Sequence, residues 1–302
     1  MRSQQVNPGT HETYTQQTLP ALAMSSDAAH LPFPLNESDR EAALAFLSKR
    51  PIQNVIMAGW IYDRGVVSLA HRGVFYGCRN AEGDLDSVAL VGHTTMFDAS
   101  TPEVVGSFGK IARETTDVRA VFGEHSLLEA FWKQYADGKT QPRLIYTELL
   151  FEFHEPFGSD QQDGLRKASL ADLDQIVAAH AEMVFEETGT NPLRADAAGF
   201  RRRCAERVVN DRVWVYMDGD DLVFKTDIVT ATPQAVYFEG VWVNPRFRRL
   251  GVAKRCLSTL SRRLLLRAPM GCFFVNESNH RALELYKSLD LQPLQSVTKY
   301  II

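Results

Sequence analysis

Residues 246–255 read RFRRLGVAKR, with five basic side chains around one glycine, directly downstream of the apolar run Val241-Trp242-Val243. A strand that enters a helix through a Gly-bearing loop exposes the first backbone N–H groups of that helix. Those donors have no intrahelical partner, and the helix dipole adds positive potential. A phosphate fits such a junction. Gly251 lets the backbone approach closely, Ala253 is nearly as small, and Arg246, Arg248, Arg249, Lys254 and Arg255 add charge around the same point. From the pattern alone, a solvated basic turn opening a surface helix fits equally well.

The rest of the chain says which anion to expect. It has 302 residues, 45% of them hydrophobic, enough for two cores. The formal net charge of −4 argues against a protein that coats nucleic acid or an anionic membrane, so any positive field is local. No apolar run approaches the roughly 18–20 residues that span a bilayer, and the first residues lack an apolar leader segment. Cys78, Cys204, Cys256 and Cys272 form no CxxC pair and have apolar neighbours, which predicts buried free thiols and no metal site. These features predict a cytoplasmic protein.

Residues 1–36 are polar and aperiodic and read as a flexible tail. Asn36-Glu37-Ser38-Asp39 can cap a helix carrying Ala42, Leu44, Phe46 and Leu47. Strand-like runs follow at 54–61, 73–78 and 87–92, then a helix from Pro102, a strand at 119–123, a helix at 126–135 and a long strand at 143–153. The turn-rich stretch 154–164 reads as a break. Beyond it come a short strand at 165–170, a helix to about Glu187 behind a Ser169/Asp172 capping box, and a second helix from about Ala195 to Val208. Three β-rich runs at 213–217, 222–230 and 235–243 read as a meander. A helix, a strand, a helix and a terminal strand complete the chain. Each half is thus expected to be mixed α+β, with a mostly antiparallel twisted sheet flanked by helices. The expected boundaries are 37–155 and 165–302, with 156–164 as linker.

A nucleoside triphosphate loop needs GxxxxGK[ST], and a dinucleotide loop needs GxGxxG; neither is present here. The spacing Arg248-x-x-Gly251-x-Ala253 resembles the R/Q-x-x-G-x-G/A loop of the GNAT acyltransferase superfamily, which binds the pyrophosphate of acetyl-CoA. Downstream, NHRALELYKSLDL (279–291) resembles the N-x-x-A-x-x-L-Y-x-x-x-G-F segment of that superfamily through Asn279, Ala282, Leu285 and Tyr286. Asp290 and Leu291 depart from the pattern where Gly and Phe are usual, which bears on the turn after the helix. The resemblance covers roughly 165–302. Over the first half it is architectural only: Pro102-Glu103 replaces the cationic cluster, so a phosphate would meet a carboxylate. That half is therefore expected to be a degenerate copy that does not bind the cofactor.

The resemblance implies an acetyl-CoA-dependent N-acetyltransferase acting on a primary amine of a small molecule or peptide, with no metal, no nucleic acid and no membrane partner. A non-catalytic acyl-CoA-binding regulatory module is the alternative. The implied cofactor contacts are Val241, Trp242, Val243, Arg248, Arg249, Leu250, Gly251, Val252, Ala253, Lys254 and Asn279. Tyr286 is the implied proton donor to the departing thiolate, and a backbone N–H within Val241–Asn244 the implied oxyanion donor. Glu239, a carboxylate inside an apolar strand, is a candidate base if its face lines the cleft; on the outer face it is only solvated. His180 has the spacing of a core histidine. Glu186 and Glu187 either border the acceptor cleft or end a helix, and Arg255, Arg262 and Arg263 read as a solvated helix face.

Overall fold

The computed structural model describes residues 31–302 except 116, 137 and 139, so the expected tail lies outside the described residues up to residue 30. Its last part does not stay loose: β1 (Phe33–Pro34) pairs with a strand further on. The first half continues through a 3-10 turn (Glu37–Asp39), α1 (Arg40–Leu47), α2 (Val55–Arg64), β2 (Gly73–Arg79), β3 (Leu85–Gly92) and β4 (Thr94–Ala99). It closes with α3 (Pro102–Thr115), β5 (Ala120–Gly123), α4 (His125–Tyr135) and β6 (Leu144–Phe153). The second half opens with β7 (Arg166–Lys167), a 3-10 turn (Leu170–Asp172), α5 (Leu173–Thr188) and α6 (Pro192–Val209). The meander β8 (Val213–Asp218), β9 (Asp221–Ala231) and β10 (Ala235–Val243) follows. The last elements are α7 (Val252–Leu265), β11 (Met270–Asn276), α8 (His280–Lys287) and β12 (Pro293–Ile301). Both halves therefore run strand, turn, two helices, three strands, helix, strand, helix, strand.

The match between the halves emerges only after one correction. Residues 54–61, expected to be a strand, form most of α2. Val55, Met57, Ala58, Gly59 and Ile61 are all buried, so the helix has apolar neighbours on several sides and its 3.6-residue period is hidden. Gly65, at φ 78°, ends the helix by donating its N–H to the Ile61 carbonyl. The third strand of this half is instead β4, unread in the sequence. A capping box opens each half, Asn36 with Asp39 and Ser169 with Asp172. Arg166 grips Asp172 through two bonds of 2.8 and 2.9 Å, and that pairing holds the Asp172 carboxyl down to about 2.

The strands form one sheet in the order β1-β2-β3-β4-β5-β12-β6-β11-β10-β9-β8-β7. Only β4–β5 and β10–β11 are parallel, and each pairs over three residues. The final strand of each half has crossed over: β12 lies against β5 of the first half, and β6 lies against β11 of the second. The cross-strand registers carry sidedness across the sheet. Helices α1, α2, α5 and α6 cover one face, and α3, α4, α7 and α8 the other. Helix α2 bridges the halves on its face. It crosses β9 so closely that a Cβ on Gly59 would lie 1.8 Å from Thr230 Oγ1, and Asp63 takes a 2.7 Å ion pair from Arg212. The stretch 154–164 is tied to α7: Phe157 N–H donates to Ser261 Oγ (3.3 Å) and Gln162 N–H to Thr259 Oγ1 (2.8 Å). All four cysteines are buried and free. Among the described residues, no helix is long and apolar enough to cross a membrane.

Candidate functional site

The site is built where β10 leaves its neighbour. Pairing with β11 ends at Tyr237 opposite Cys272, and the rest of β10 pairs only with β9. On the β9 side, Glu239 faces Asp227 and Trp242 faces Lys225, so Gly240 and Val241 stand against the single residue Thr226. This is a β-bulge, with Gly240 at φ 66° and the Thr226 hydroxyl donating to the Glu239 carbonyl at 2.8 Å. Only a residue tolerant of the left-handed region fits at Gly240.

A buried ionic cluster backs the bulge. Lys225 Nζ donates to Asp227 Oδ2 at 2.6 Å and Arg207 Nη1 to the same oxygen at 3.2 Å. A Cβ on Gly240 would lie 3.1 Å from that oxygen. His180 stacks on Phe200 and lies between Lys225 (3.5 Å) and Arg207 (3.4 Å). A neutral imidazole offers one lone pair, so it accepts from only one of them. Burial, then the Lys225 charge, push the His180 pKa down to about 3. The core position expected for His180 is thus occupied, but by a polar network rather than an apolar pocket. The unfolded chain takes up a proton near pH 6.5 that the folded chain refuses until about pH 3. Folding stability should therefore fall as pH drops through this window, by up to about 1.4 kcal/mol per unit. Urea unfolding of wild type and His180→Gln between pH 4 and 7 checks this: the variant should show the shallower decline.

After β10 the chain is pinned by Asn244, whose N–H donates to the Val223 carbonyl (2.9 Å) and whose Nδ2 donates to the Leu222 carbonyl (3.0 Å). A 3-10 turn (Pro245–Phe247) leads to Arg249 at φ 65° and Gly251 at φ 74°. The first hydrogen bond of α7 runs from Arg255 N–H to the Gly251 carbonyl (3.1 Å), and no side chain caps Gly251. Among the described residues, the consecutive N–H groups of Arg249 to Lys254 find no acceptor. Alternating left- and right-handed backbone that presents successive N–H groups forms an anion nest.

The cations around the nest also brace it. Arg248 Nε donates to the Val243 carbonyl, Arg255 Nη1 to the Leu250 carbonyl (both 3.0 Å), and Lys254 Nζ to the Ser288 carbonyl (3.1 Å). None of these acceptors is a carboxylate, whereas Arg246 is paired with Asp221 at 3.1 Å. Val252 is buried, Ala253 half-buried and Leu250 exposed. The Trp242 side chain turns to α5, donating to Glu182 at 3.0 Å, while Val241 and Val243 pack toward the core on the α7 side.

Asn279 caps α8 through its side chain, which accepts from Ala282 N–H at 3.1 Å. Tyr286 is 4% exposed, its ring 4.2 Å from Phe273 and 5.6 Å from Phe151, and burial raises its hydroxyl pKa above the usual value. The departure at Asp290 is accommodated in the backbone: Asp290 takes φ 60°, the conformation a glycine supplies, and Leu291 N–H returns to the Tyr286 carbonyl (3.1 Å).

On the α5 face, Glu239 is half-buried and accepts a 3.2 Å hydrogen bond from the Tyr237 hydroxyl. Glu187, read as a carboxylate that either borders the acceptor cleft or ends a helix, lies on this face, whereas sequence reasoning missed Glu148, Lys299 and Tyr146. Glu148 of β6 stands opposite Asn276 of β11 and Val297 of β12. Lys299 of β12 donates to Glu187 Oε1 (3.1 Å), and Tyr146 donates to the Glu187 carbonyl (2.7 Å). The run at 143–153 holds two acids, Glu148 and Glu152, and nothing local to it singles Glu148 out.

The matching junction in the first half is built differently. Only Ser100 and Thr101 separate β4 from α3, and Glu103 occupies the first turn of that helix. Arg50 bridges Asp98 at the end of β4 (2.9 Å) and Glu124 just after β5, and Asn54 adds a 2.5 Å bond to Asp98.

Residues 192–290 match the model of the acetyltransferase (GNAT) family. No curated protein matches the chain in sequence. Among solved structures, the chain is similar to an acetyltransferase of the GNAT family from Colwellia psychrerythraea (9% identity, 90% of this chain and 99% of that one, TM-score 0.55). It is also similar to a GCN5-related N-acetyltransferase from Sphaerobacter thermophilus (12% identity, 89% and 94%, TM-score 0.56). A tandem GNAT protein from the clavulanic acid biosynthesis pathway aligns over 90% of this chain and 98% of its own (13% identity, TM-score 0.55). At these identities the likeness is one of fold. The nest, the bulge and the parting of β10 from β11 all lie within the matched segment or on its border strands. Residues 192–290 of this chain thus match the acetyltransferase (GNAT) family model, within a fold shared with solved GNAT proteins, a tandem one included.

Proposed function

We propose that residues 165–302 transfer an acetyl group from acetyl-CoA to the primary amine of a small molecule or peptide, while residues 37–155 form a degenerate copy that binds no CoA and walls the acceptor cleft. The observation that carries this reading is the run of free N–H groups from Arg249 to Lys254 beside the unpaired edge of β10. The diphosphate sits on that run, and Arg248, Arg249 and Lys254 add charge. The pantetheine arm follows the open edge of β10 past Asn279 and brings the thioester to the bulge. Ladder alternation sends the N–H groups of Val241 and Val243 to this edge, because that of Asn244 is taken by Val223. They are the donors for the oxyanion.

The amine enters from the α5 face, where carboxylates attract its ammonium form. It loses a proton to one of them and its nitrogen attacks the thioester carbon. The C–N bond forms, the C–S bond breaks, the thiolate takes the Tyr286 hydroxyl proton, and the second proton shed by the new amide nitrogen restores that hydroxyl through solvent. Glu239 is the carboxylate nearest along β10 to the acetyl position.

The test combines binding and turnover. CoA should raise the thermal midpoint, and acetyl-CoA with a panel of primary amines should release thiol. Tyr286→Phe should keep the CoA shift and lower the rate. Stabilisation without turnover on any amine would instead mark an acyl-CoA-binding regulatory module. No stabilisation would end both readings.

A further inference from the structure

The strand exchange that joins the halves also places a side chain of the first half in the cleft of the second. We infer that Glu148, placed by β6 beside Asn276 of β11 and across the parting from Glu239 of β10, is the base that takes the proton from the acceptor amine. The inference rests on the acyl-transfer reading and names a group that reading leaves open.

Sidedness comes first. Tyr237 pairs with Cys272, and Cys272 with Glu152, so these three project from one face. Two-residue alternation then puts Glu239, Phe274, Asn276 and Glu148 on that same face. The ring contact between Tyr237 and Phe274 and the bond from Tyr237 to Glu239 agree. Val297 and Lys299 continue the row on β12, and Glu187 closes it from α5. Between Glu239 and Glu148 lies the region where β10 has parted from β11, which is where the acetyl group is placed.

The second point is that Glu148 is without a hydrogen-bond partner. It is 8% exposed, and among the described residues no hydrogen bond reaches its carboxylate. Its neighbours are otherwise engaged: Lys299 is bound by Glu187, and the Tyr237 hydroxyl by Glu239. A buried carboxyl in this condition lacks a proton donor that a protonated amine would supply. Glu239, half-buried and already accepting from Tyr237, suits holding the ammonium more than removing its proton.

The electrostatics agree with the geometry. Burial pushes the Glu148 pKa up to about 7; Lys299 opposes the shift, and Glu187 and Glu239 add to it. A base of that strength is half-ionised at neutral pH and strong enough to compete for an amine proton. The step balances: the ammonium N–H bond breaks, its proton goes to Glu148, and the freed lone pair forms the C–N bond. Glu148 returns the proton to solvent before the next turnover.

The experiment measures rate against pH for wild type, Glu148→Gln and Glu239→Gln, with the CoA thermal shift as a separate reading. In wild type, kcat/KM should rise between pH 6 and 8. Glu148→Gln should lower it at least tenfold at pH 8 and flatten the rise, yet keep the CoA shift; Glu239→Gln should lower the rate and keep the rise, displaced to lower pH because one of the charges that raise Glu148 is gone. Stability supplies a readout independent of turnover. A carboxyl raised in the folded state contributes stability at low pH that is lost as pH climbs from 4.5 through about 7. Glu148→Gln should therefore melt like wild type at pH 4 and higher than wild type at pH 8. Equal melting at both pH values, or a Glu148→Gln enzyme that keeps the rise, would overturn the inference. A lost CoA shift in wild type would instead overturn the acyl-transfer reading beneath it.

Discussion

Asp227→Ala should lower the folding free energy by about 3–5 kcal/mol, the cost of leaving a buried charge without its partner. Lys225 has no exposed surface and donates to Asp227 at 2.6 Å, and Arg207 approaches the same oxygen at 3.2 Å. Both cations hold the Asp227 carboxyl below the usual range against the opposing effect of its burial. Without it, Lys225 must either stay charged in an apolar interior or give up its proton. The urea midpoint measures the loss, and a replacement that removes both charges, Lys225→Met with Asp227→Leu, should recover most of it. A single variant within about 1 kcal/mol of wild type would show that water reaches the cluster.

Gly251→Val should abolish the thermal shift by CoA and lower kcat/KM by roughly 100-fold, with only about 1–3 kcal/mol lost from the apoprotein. At φ 74° a β-branched residue is strained, and its Cβ would meet Arg255 Nη1 at 3.0 Å. The backbone can relieve the strain only by rotating the N–H groups on either side, which dismantles the nest. Asn tolerates the left-handed region, so Gly251→Asn should keep a measurable part of the shift. A Val variant that binds CoA normally would place the diphosphate elsewhere.

What the sequence disclosed and what it hid follow from how local each feature is. RFRRLGVAKR and NHRALELY carry their meaning in a few consecutive residues, and the loop and α8 stand where those residues put them. The second helix of this half is expected from about Ala195, but α6 begins three residues earlier. In the structure Asn191 caps α6, with its side chain accepting from Leu193 and Arg194, and Pro192 occupies the first turn. Helix α2 was hidden because Val55, Ile56 and Ile61 carry a strand-like composition while packing from several sides conceals the helical period. Glu148 was invisible as a site residue for a different reason. Its neighbours Glu239, Lys299 and Glu187 belong to the other half of the chain, and only the crossing of β6 and β12 brings them together.

That crossing also orders events during synthesis. The gap between β5 and β6 is filled by β12, made after every other element described, so the sheet of the first half stays unfinished while the second half is being translated. The nascent chain must hold an open β-edge through that interval, a condition that favours chaperone capture and penalises slow elongation. It also means that each half is completed by a strand that the other supplies.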